Sequence, residues 1–477
     1  MFTHLHVHSH YSLLAATPSI DELVTAATAN QMDYLALTDH NALYGVVEFC
    51  AACSKVGIQP IVGMTLNVQL PQAQTENTPE PFVLLAANHA GYQSLCRLSS
   101  IIQASPEREQ RAQQGVSWEE LKANHGGVIA IAGGRRSWLQ RWLAASDTKS
   151  ANTFLGRFAG MFEEQGYLAL ELHTASDQAI AQQVNRLAQR FGLPVVAVQP
   201  VYTLLPAERH RLRLLAAIDR NCRLEEVSAT ALPDDNEPAV ELHWLSPEEI
   251  QQRFAAFPQA IGNVDQLLAS CEPALPSGKP IFPMLKLAEG VSTNDELTNL
   301  AHQGIDRLYH SEPMESGLSS TEWNSTDANP LAKASQSIDR LILLQRLQDE
   351  LSIIARAGYA PLFLVVADIV RFARSRGIPV STRGSVANSL VAYATGITTV
   401  DPIANNLLFE RFLNPERGSP PDIDLDFCSE RRDEVLEYVR HTYGEDRVAL
   451  VATVSTMRPR SAIGETAKAY GLNEEAA

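Results

Sequence analysis

The stretch Pro421-Asp422-Ile423-Asp424-Leu425-Asp426-Phe427 places an acid at every second position. In a β-strand successive side chains point to opposite faces, so Asp422, Asp424 and Asp426 share one face and Ile423, Leu425 and Phe427 the other. Like charges held side by side repel unless something neutralises them. A hard divalent cation such as Mg²⁺ does so, because it prefers carboxylate oxygens together with substrate phosphates. A carboxylate pair of this kind is what two-metal phosphoryl or nucleotidyl transfer requires. An exposed acidic edge strand has the same pattern, and the stretch alone leaves both readings open.

Upstream, Arg383-Gly384-Ser385 follows the strand-like Gly377-Ile378-Pro379-Val380 and opens an apparent helix over 386–394. A glycine turn running into a helix N-terminus presents free backbone N–H groups and the positive end of the dipole to an anion. Arg383 adds a charged fork suited to phosphate, and Ser385 can cap the helix. Alone such a turn is more often only a cap. A phosphate cradle followed by a metal-binding strand is more specific. The two must converge, so the reading expects Asp422 and Asp424 on one strand face, close to this turn.

The run from Thr382 through Arg383, Gly384, Ser385, Val386, Ala387, Asn388 and Ser389 to Tyr393 resembles the phosphate-binding motif of the bacterial C-family DNA polymerases, the replicative polymerase III α subunits and their error-prone relatives. Residues 396–402, 408–417 and 421–427 are similar to the palm motifs of that family, in its order and spacing. Asn388-Ser389 and Glu416-Arg417-Gly418 lean towards the error-prone branch. The opening His4-Leu5-His6-Val7-His8-Ser9-His10, with Thr38-Asp39-His40, resembles the polymerase-and-histidinol-phosphatase (PHP) domain that heads the same family.

Length and composition agree with a multidomain globular protein. The 477 residues are 45% hydrophobic and 19% charged, enough for roughly two to four domains. No run of about 18 uncharged apolar residues is present, so no transmembrane helix and no membrane partner are expected. The opening residues lack a basic segment and an apolar core, so no secretory leader is expected. Six scattered cysteines fit a reducing cytoplasm, and the lone Cys50/Cys53 pair, in an apparent helix, is a poor zinc site. A net charge of −17 argues against a generic nucleic-acid binder. A local grip remains available from the late arginines, Arg371, Arg374, Arg376, Arg383, Arg411 and Arg417 among them.

Along the first two hundred residues short apolar runs at 3–7, 34–38, 60–68, 82–86, 128–132, 167–172 and 194–198 alternate with helical patterns. This βα order predicts an α/β parallel barrel, in agreement with the seven-stranded PHP barrel that the resemblance implies. Residues 72–81 read as a polar loop. The domain reading is a PHP barrel over 1–275, the first part of an α+β palm over 276–432 with an unpatterned Ser/Thr/Asn-rich insertion at 311–335, and the start of a helical thumb over 433–477.

Alternation of His4, His6, His8 and His10 puts four imidazoles on one strand face, and Asp39 and His40 sit where a barrel keeps its active site. The resemblance qualifies this. Of the ligand set it implies, His6, His8 and His40 are present. The acid expected after Leu14 is Ala15, and the acid after Gly63 is Thr65. Other ligands are replaced near Pro81 and near Gly134, and Pro200 and Tyr202 stand for an Asp and a His. Three imidazoles could hold one Zn²⁺ or Mn²⁺ ion but no trinuclear cluster, so the barrel is expected to be degenerate, without exonuclease or phosphatase activity. His89 and His173 are candidate displaced ligands.

In the palm, Asp422 and Asp424 match the family's first two catalytic carboxylates, which implies Mg²⁺ there and primer–template DNA, deoxynucleoside triphosphates and other replisome subunits as partners. The family's remaining catalytic acid and its fingers lie downstream of Ala477. Two departures stand out. Thr382 replaces a glycine, and Gly464 replaces an arginine. The expected function is template-directed DNA synthesis by the longer protein, with this chain inactive alone. The alternatives are a PHP-type metal-dependent phosphoesterase or 3′–5′ exonuclease, which would have no use for the palm motifs, and a non-catalytic replication or repair accessory.

Overall fold

A computed structural model describes residues 2–71, 79–276, 278, 281–309, 340–414, 421–444 and 447–472. The expected insertion at 311–335 and the Glu416-Arg417-Gly418 detail lie outside these residues. The chain divides into two compact units, Met1–Ser277 together with Ser455–Ala477, and Gly278–Val454.

The first unit is built on seven strands: β1 (Tyr34–Leu37), β2 (Gln59–Gln69), β3 (Glu80–Ala86), β4 (Val116–Ser117), β5 (Val128–Gly133), β6 (Gly166–Leu170) and β7 (Val195–Ala197). Their order is β1-β2-β3-β5-β6-β7, with β4 beside the end of β2. The sheet is mixed, which corrects the all-parallel expectation: β3 runs antiparallel to both β2 and β5. The cause lies in the connection. Only ten residues separate Gln69 from Glu80, too few for the crossover that a parallel pair requires.

The first expected strand, at 3–7, forms no ladder. A single parallel bridge joins Val7 to Val201, with His8 N–H donating to Val201 O and Val201 N–H to His6 O, both at 2.9 Å. On its other side Thr38 N–H donates to Val7 O at 2.8 Å. The segment thus links the end of β1 to the residues after β7 without being a strand itself. Pro200 has no N–H to extend the pairing beyond the bridge.

Helices cover the sheet by helical spacing. Thr148–Phe162 buries Ala151, Phe154, Leu155, Phe158 and Phe162 on one stripe. Phe154 and Phe158 pack against Phe82 of β3, with ring centroids 6.2 and 5.6 Å away. Glu80, at the start of β3, is fully buried. Its Oε2 accepts the Trp138 N–H at 2.6 Å, and burial pushes its carboxyl up to about 8 despite that bond and the charge of Arg141. The helix Pro459–Ala469 packs on Arg209–Asp219, burying Ala469 with Ala216 and Ala217.

In the second unit the helices Thr293–Tyr309, Arg340–Ala357 and Ala360–Ser375 surround the short helix Leu390–Ala394, and β8 (Val380–Arg383) pairs with β9 (Asp424–Phe427). Thr293–Tyr309 approaches Leu390–Ala394 so closely that a β-carbon on Gly304 would stand 1.9 Å from Ala394 O. Among the described residues no single helix is long and apolar enough to cross a membrane. Arg340–Ala357 and Ala360–Ser375 pass such a test only as a pair bent by 112°, and both bury their apolar faces in this core.

Candidate active site

β8 and β9 are antiparallel, in a register that sets Val380 opposite Phe427, Ser381 opposite Asp426, Thr382 opposite Leu425 and Arg383 opposite Asp424. Asp422 precedes β9 by two residues. Asp422 and Asp424 are exposed, whereas Ile423 and Leu425 are half-buried against the core of the unit. The alternation along 422–425 is that of extended backbone. The chain leaves β8 through Gly384, whose φ of +80° suits glycine. A β-carbon on Gly384 would stand 3.9 Å from Asp424 Oδ2, so the turn and that carboxylate are neighbours.

Arg383 makes a two-pronged pair with Asp426: Nη2 donates to Oδ1 at 2.7 Å and Nε to Oδ2 at 2.5 Å. The third acid of the strand therefore holds the guanidinium across the sheet. Among the described residues no hydrogen bond or ion pair reaches the side-chain carboxylates of Asp422 and Asp424.

The backbone beyond the turn differs from the single helix expected over 386–394. Residues Gly384–Asn388 form a 3₁₀ turn, and a separate helix, Leu390–Ala394, begins after it. Its cap is Ser389, not Ser385: Ser389 Oγ accepts the Ala392 N–H at 3.1 Å. The break is fixed by Glu350, a residue the sequence reading passed over. Glu350 is buried on Arg340–Ala357. Its Oε2 accepts the Ser389 hydroxyl at 2.9 Å and the Val391 N–H at 3.1 Å, and Oε1 accepts Arg346 Nε at 2.7 Å. Burial raises its carboxyl, against those bonds and the Arg346 charge.

In the barrel unit His6 and His40 line a cavity of about 880 Å³. Ala15, Thr65, Pro81, Gly134, Pro200 and Tyr202, the positions where the resemblance expects metal ligands, line the same cavity. His8 lies beside it, its Nε2 3.0 Å from His6 Nε2 and its ring stacked on Tyr202 at 4.2 Å. Burial lowers His6 and His40 to about 4 and His8 well below its ordinary value, so the imidazoles are neutral at pH 7.

The acids near them are engaged. Asp39 accepts the Ser9 N–H and hydroxyl at 2.7 and 2.8 Å and the Ser12 hydroxyl at 2.7 Å. Glu171, an acid in the cavity wall that sequence reasoning missed, contacts His173 Nε2 at 2.7 Å and the Arg135 N–H at 2.8 Å. Among the described residues no group of three or more His, Cys, Asp or Glu side chains is arranged to hold a metal ion.

The four opening imidazoles do not share one site. His4 Nε2 contacts Leu245 O at 2.8 Å and packs on Trp244, and His10 is exposed. A segment bridged at one residue does not impose the strict two-residue period of a strand. His89 Nδ1 contacts Ala274 O at 3.1 Å, and it is absent from the cavity wall.

Two family models match the chain. The PHP domain covers residues 4–175, and the bacterial DNA polymerase III alpha NTPase domain covers residues 296–477. The DNA polymerase III subunit alpha of Halalkalibacterium halodurans is 34% identical over 98% of this chain and 38% of its own length. That of Bacillus subtilis is 32% identical over 100% of the chain and 39% of its length. The error-prone DNA polymerase of Symbiobacterium thermophilum is 33% identical over 99% of the chain and 41% of its length.

Over its whole length the chain is similar to DNA polymerase III α subunits, and it carries the PHP and polymerase III alpha NTPase domains in that order. It spans well under two thirds of the length of these relatives. Both constellations fall inside matched segments: His6, His8 and His40 in the PHP domain, and Arg383, Gly384, Ser385, Asp422 and Asp424 in the polymerase III α domain. The relatives bear both DNA polymerase III α and error-prone names, so the similarity does not assign this chain to either branch.

Proposed function

We propose that this chain carries the PHP domain and the first part of the palm of a cytoplasmic, template-directed DNA polymerase. The observation that carries the reading is the register of β8 on β9, which sets Arg383 opposite Asp424 and brings Gly384 beside its carboxylate. Exposed carboxylates without hydrogen-bond partners among the described residues fit a hard cation. Asp422 and Asp424 would hold Mg²⁺. The chemistry such ions supply is activation of a primer 3′-hydroxyl and charge neutralisation at the triphosphate.

The chain's own groups orient the substrate. Arg383, on leaving Asp426, offers a planar fork to phosphate oxygens, and the Gly384 and Ser385 amides and the Ser385 hydroxyl lie at the same turn. The partners are primer–template DNA, deoxynucleoside triphosphates and other replisome subunits, with no membrane. In the barrel the donor set does not fit a metal cluster, because Asp39 and Glu171 are already bonded and His6 and His8 abut each other. The barrel then serves as a platform, and no step passes through it.

The test is primer extension. The longer polymerase should incorporate nucleotides and lose that activity on Asp424→Asn, while the present chain alone incorporates none. Retained extension by the Asp424→Asn polymerase would sink the assignment.

A further inference from the structure

Glu350 is 1% exposed, and a buried carboxylate is costly unless it is fully paired. Here both oxygens are used, one by Arg346 and the other by Ser389 and Val391. Such a pair is a poor way to add stability, since apolar side chains of similar size do as well. What it adds is fixed geometry.

The bonds lead back to the turn. Arg346 Nη2 donates to Asn388 O and to Leu407 O, each at 3.2 Å, and its guanidinium lies 6.0 Å from the Phe409 ring. Asn388 Nδ2 donates in turn to Ser385 O at 2.8 Å. The run from Ser385 to Val391 is thus tied at Ser385 O, Asn388 O, Ser389 Oγ and the Val391 N–H. β8 itself is half exposed, and the Arg383–Asp426 pair beside the turn is exposed too. Glu350 also fills the amide end of Leu390–Ala394, which leaves the turn rather than that helix to meet an anion.

We propose that Glu350 and Arg346 are positioning residues that pre-set the Arg383-Gly384-Ser385 turn for a nucleoside triphosphate. The proposal rests on the reading of that turn as a phosphate contact. Positioning groups act by removing the cost of ordering a site at the moment of binding.

Inorganic triphosphate is the probe, titrated into the full chain and followed at the Gly384 and Ser385 amides by NMR. Mn²⁺ affinity at Asp422 and Asp424 is measured in parallel. Glu350→Ala should weaken triphosphate binding about tenfold, the equivalent of ~1.4 kcal/mol, and leave the Mn²⁺ affinity unchanged. Glu350→Gln, which keeps an oxygen for Ser389 and Val391, should recover most of the loss. Should Glu350→Ala unfold the chain, Ser389→Ala removes one donor, keeps both charges, and should weaken binding in the same direction.

A folded Glu350→Ala or Ser389→Ala chain with unaltered triphosphate affinity overturns the proposal. So does a variant that loses triphosphate and Mn²⁺ together, since that marks general loosening. Arg383→Ala separates the two levels of the argument. Binding that ignores Arg383, or no binding by the unaltered chain, overturns the phosphate reading of the turn and the positioning role with it. Loss on Arg383→Ala with no effect of Glu350→Ala overturns the positioning role alone.

Discussion

Glu80 offers a sharp physical test of the barrel core. Burial pushes its carboxyl from 4.5 up to about 8 in the folded chain, so between those values the native state holds a proton that the unfolded state has lost. The sign follows from linkage. Stability falls as pH rises through this window, by about 1.4 kcal/mol per pH unit for one proton. From about pH 6 to about pH 8 the loss should be about 2 kcal/mol, the slope flattening as the folded value is reached. Glu80→Gln cannot ionise, and its amide oxygen can still accept the Trp138 N–H. The assay is urea unfolding at several pH values, read by the fluorescence of Trp118, Trp138 and Trp142, which belong to the same core. Buried histidines act in the opposite sense, adding stability that is lost as pH falls towards about 4. The decisive quantity is therefore the difference between the two chains. It should change by about 2 kcal/mol across the window. A pH-independent difference would refute the argument that Glu80 is buried as the neutral acid.

Gly304→Ala should destabilise the second unit by about 1–3 kcal/mol, the usual cost of overpacking, because the new β-carbon would meet Ala394 O at 1.9 Å; differential unfolding monitored within Gly278–Val454 checks this. The purified chain, loaded with Zn²⁺ or Mn²⁺ and then desalted, should retain no stoichiometric metal at His6, His8 and His40 and should not hydrolyse the 3′ end of an oligonucleotide; bound metal together with turnover that disappears in His8→Ala would overturn the degenerate reading of the barrel.

Much of the β8–β9 pairing was legible because it depends on periods the sequence displays. Alternating acids on a strand, and a glycine turn after a short apolar run, constrain the backbone locally. Glu350 was not legible. On Arg340–Ala357 it reads as one half of a surface i,i+4 pair with Arg346, and only packing by Leu390–Ala394 and neighbouring helices buries it. The split of 384–394 into two pieces has the same origin, since Ser385 and Ser389 are equally good caps until the Glu350 carboxylate selects one. In the barrel, the apolar runs located the strands from 34 onwards except β4, whose two residues, Val116 and Ser117, are too few to show as a run. The direction of β3 was set by the short connection before it, and the opening histidines were scattered because a bridge at Val7 replaced a ladder. The residues mapped as replaced ligands nonetheless meet in one cavity, so a family pattern read position by position carried spatial information that periodicity did not.

The central claim is that Asp422 and Asp424, set beside the Gly384 turn, form the metal-binding edge of a nucleotidyl-transfer site. Paramagnetic Mn²⁺ titrated into the isotopically labelled chain measures this most directly. The account predicts selective broadening of the amides of Asp422, Asp424 and Gly384, abolished by Asp422→Asn with Asp424→Asn and untouched by His8→Ala. Broadening centred on His6 and His40 instead, or none near Gly384, would contradict it.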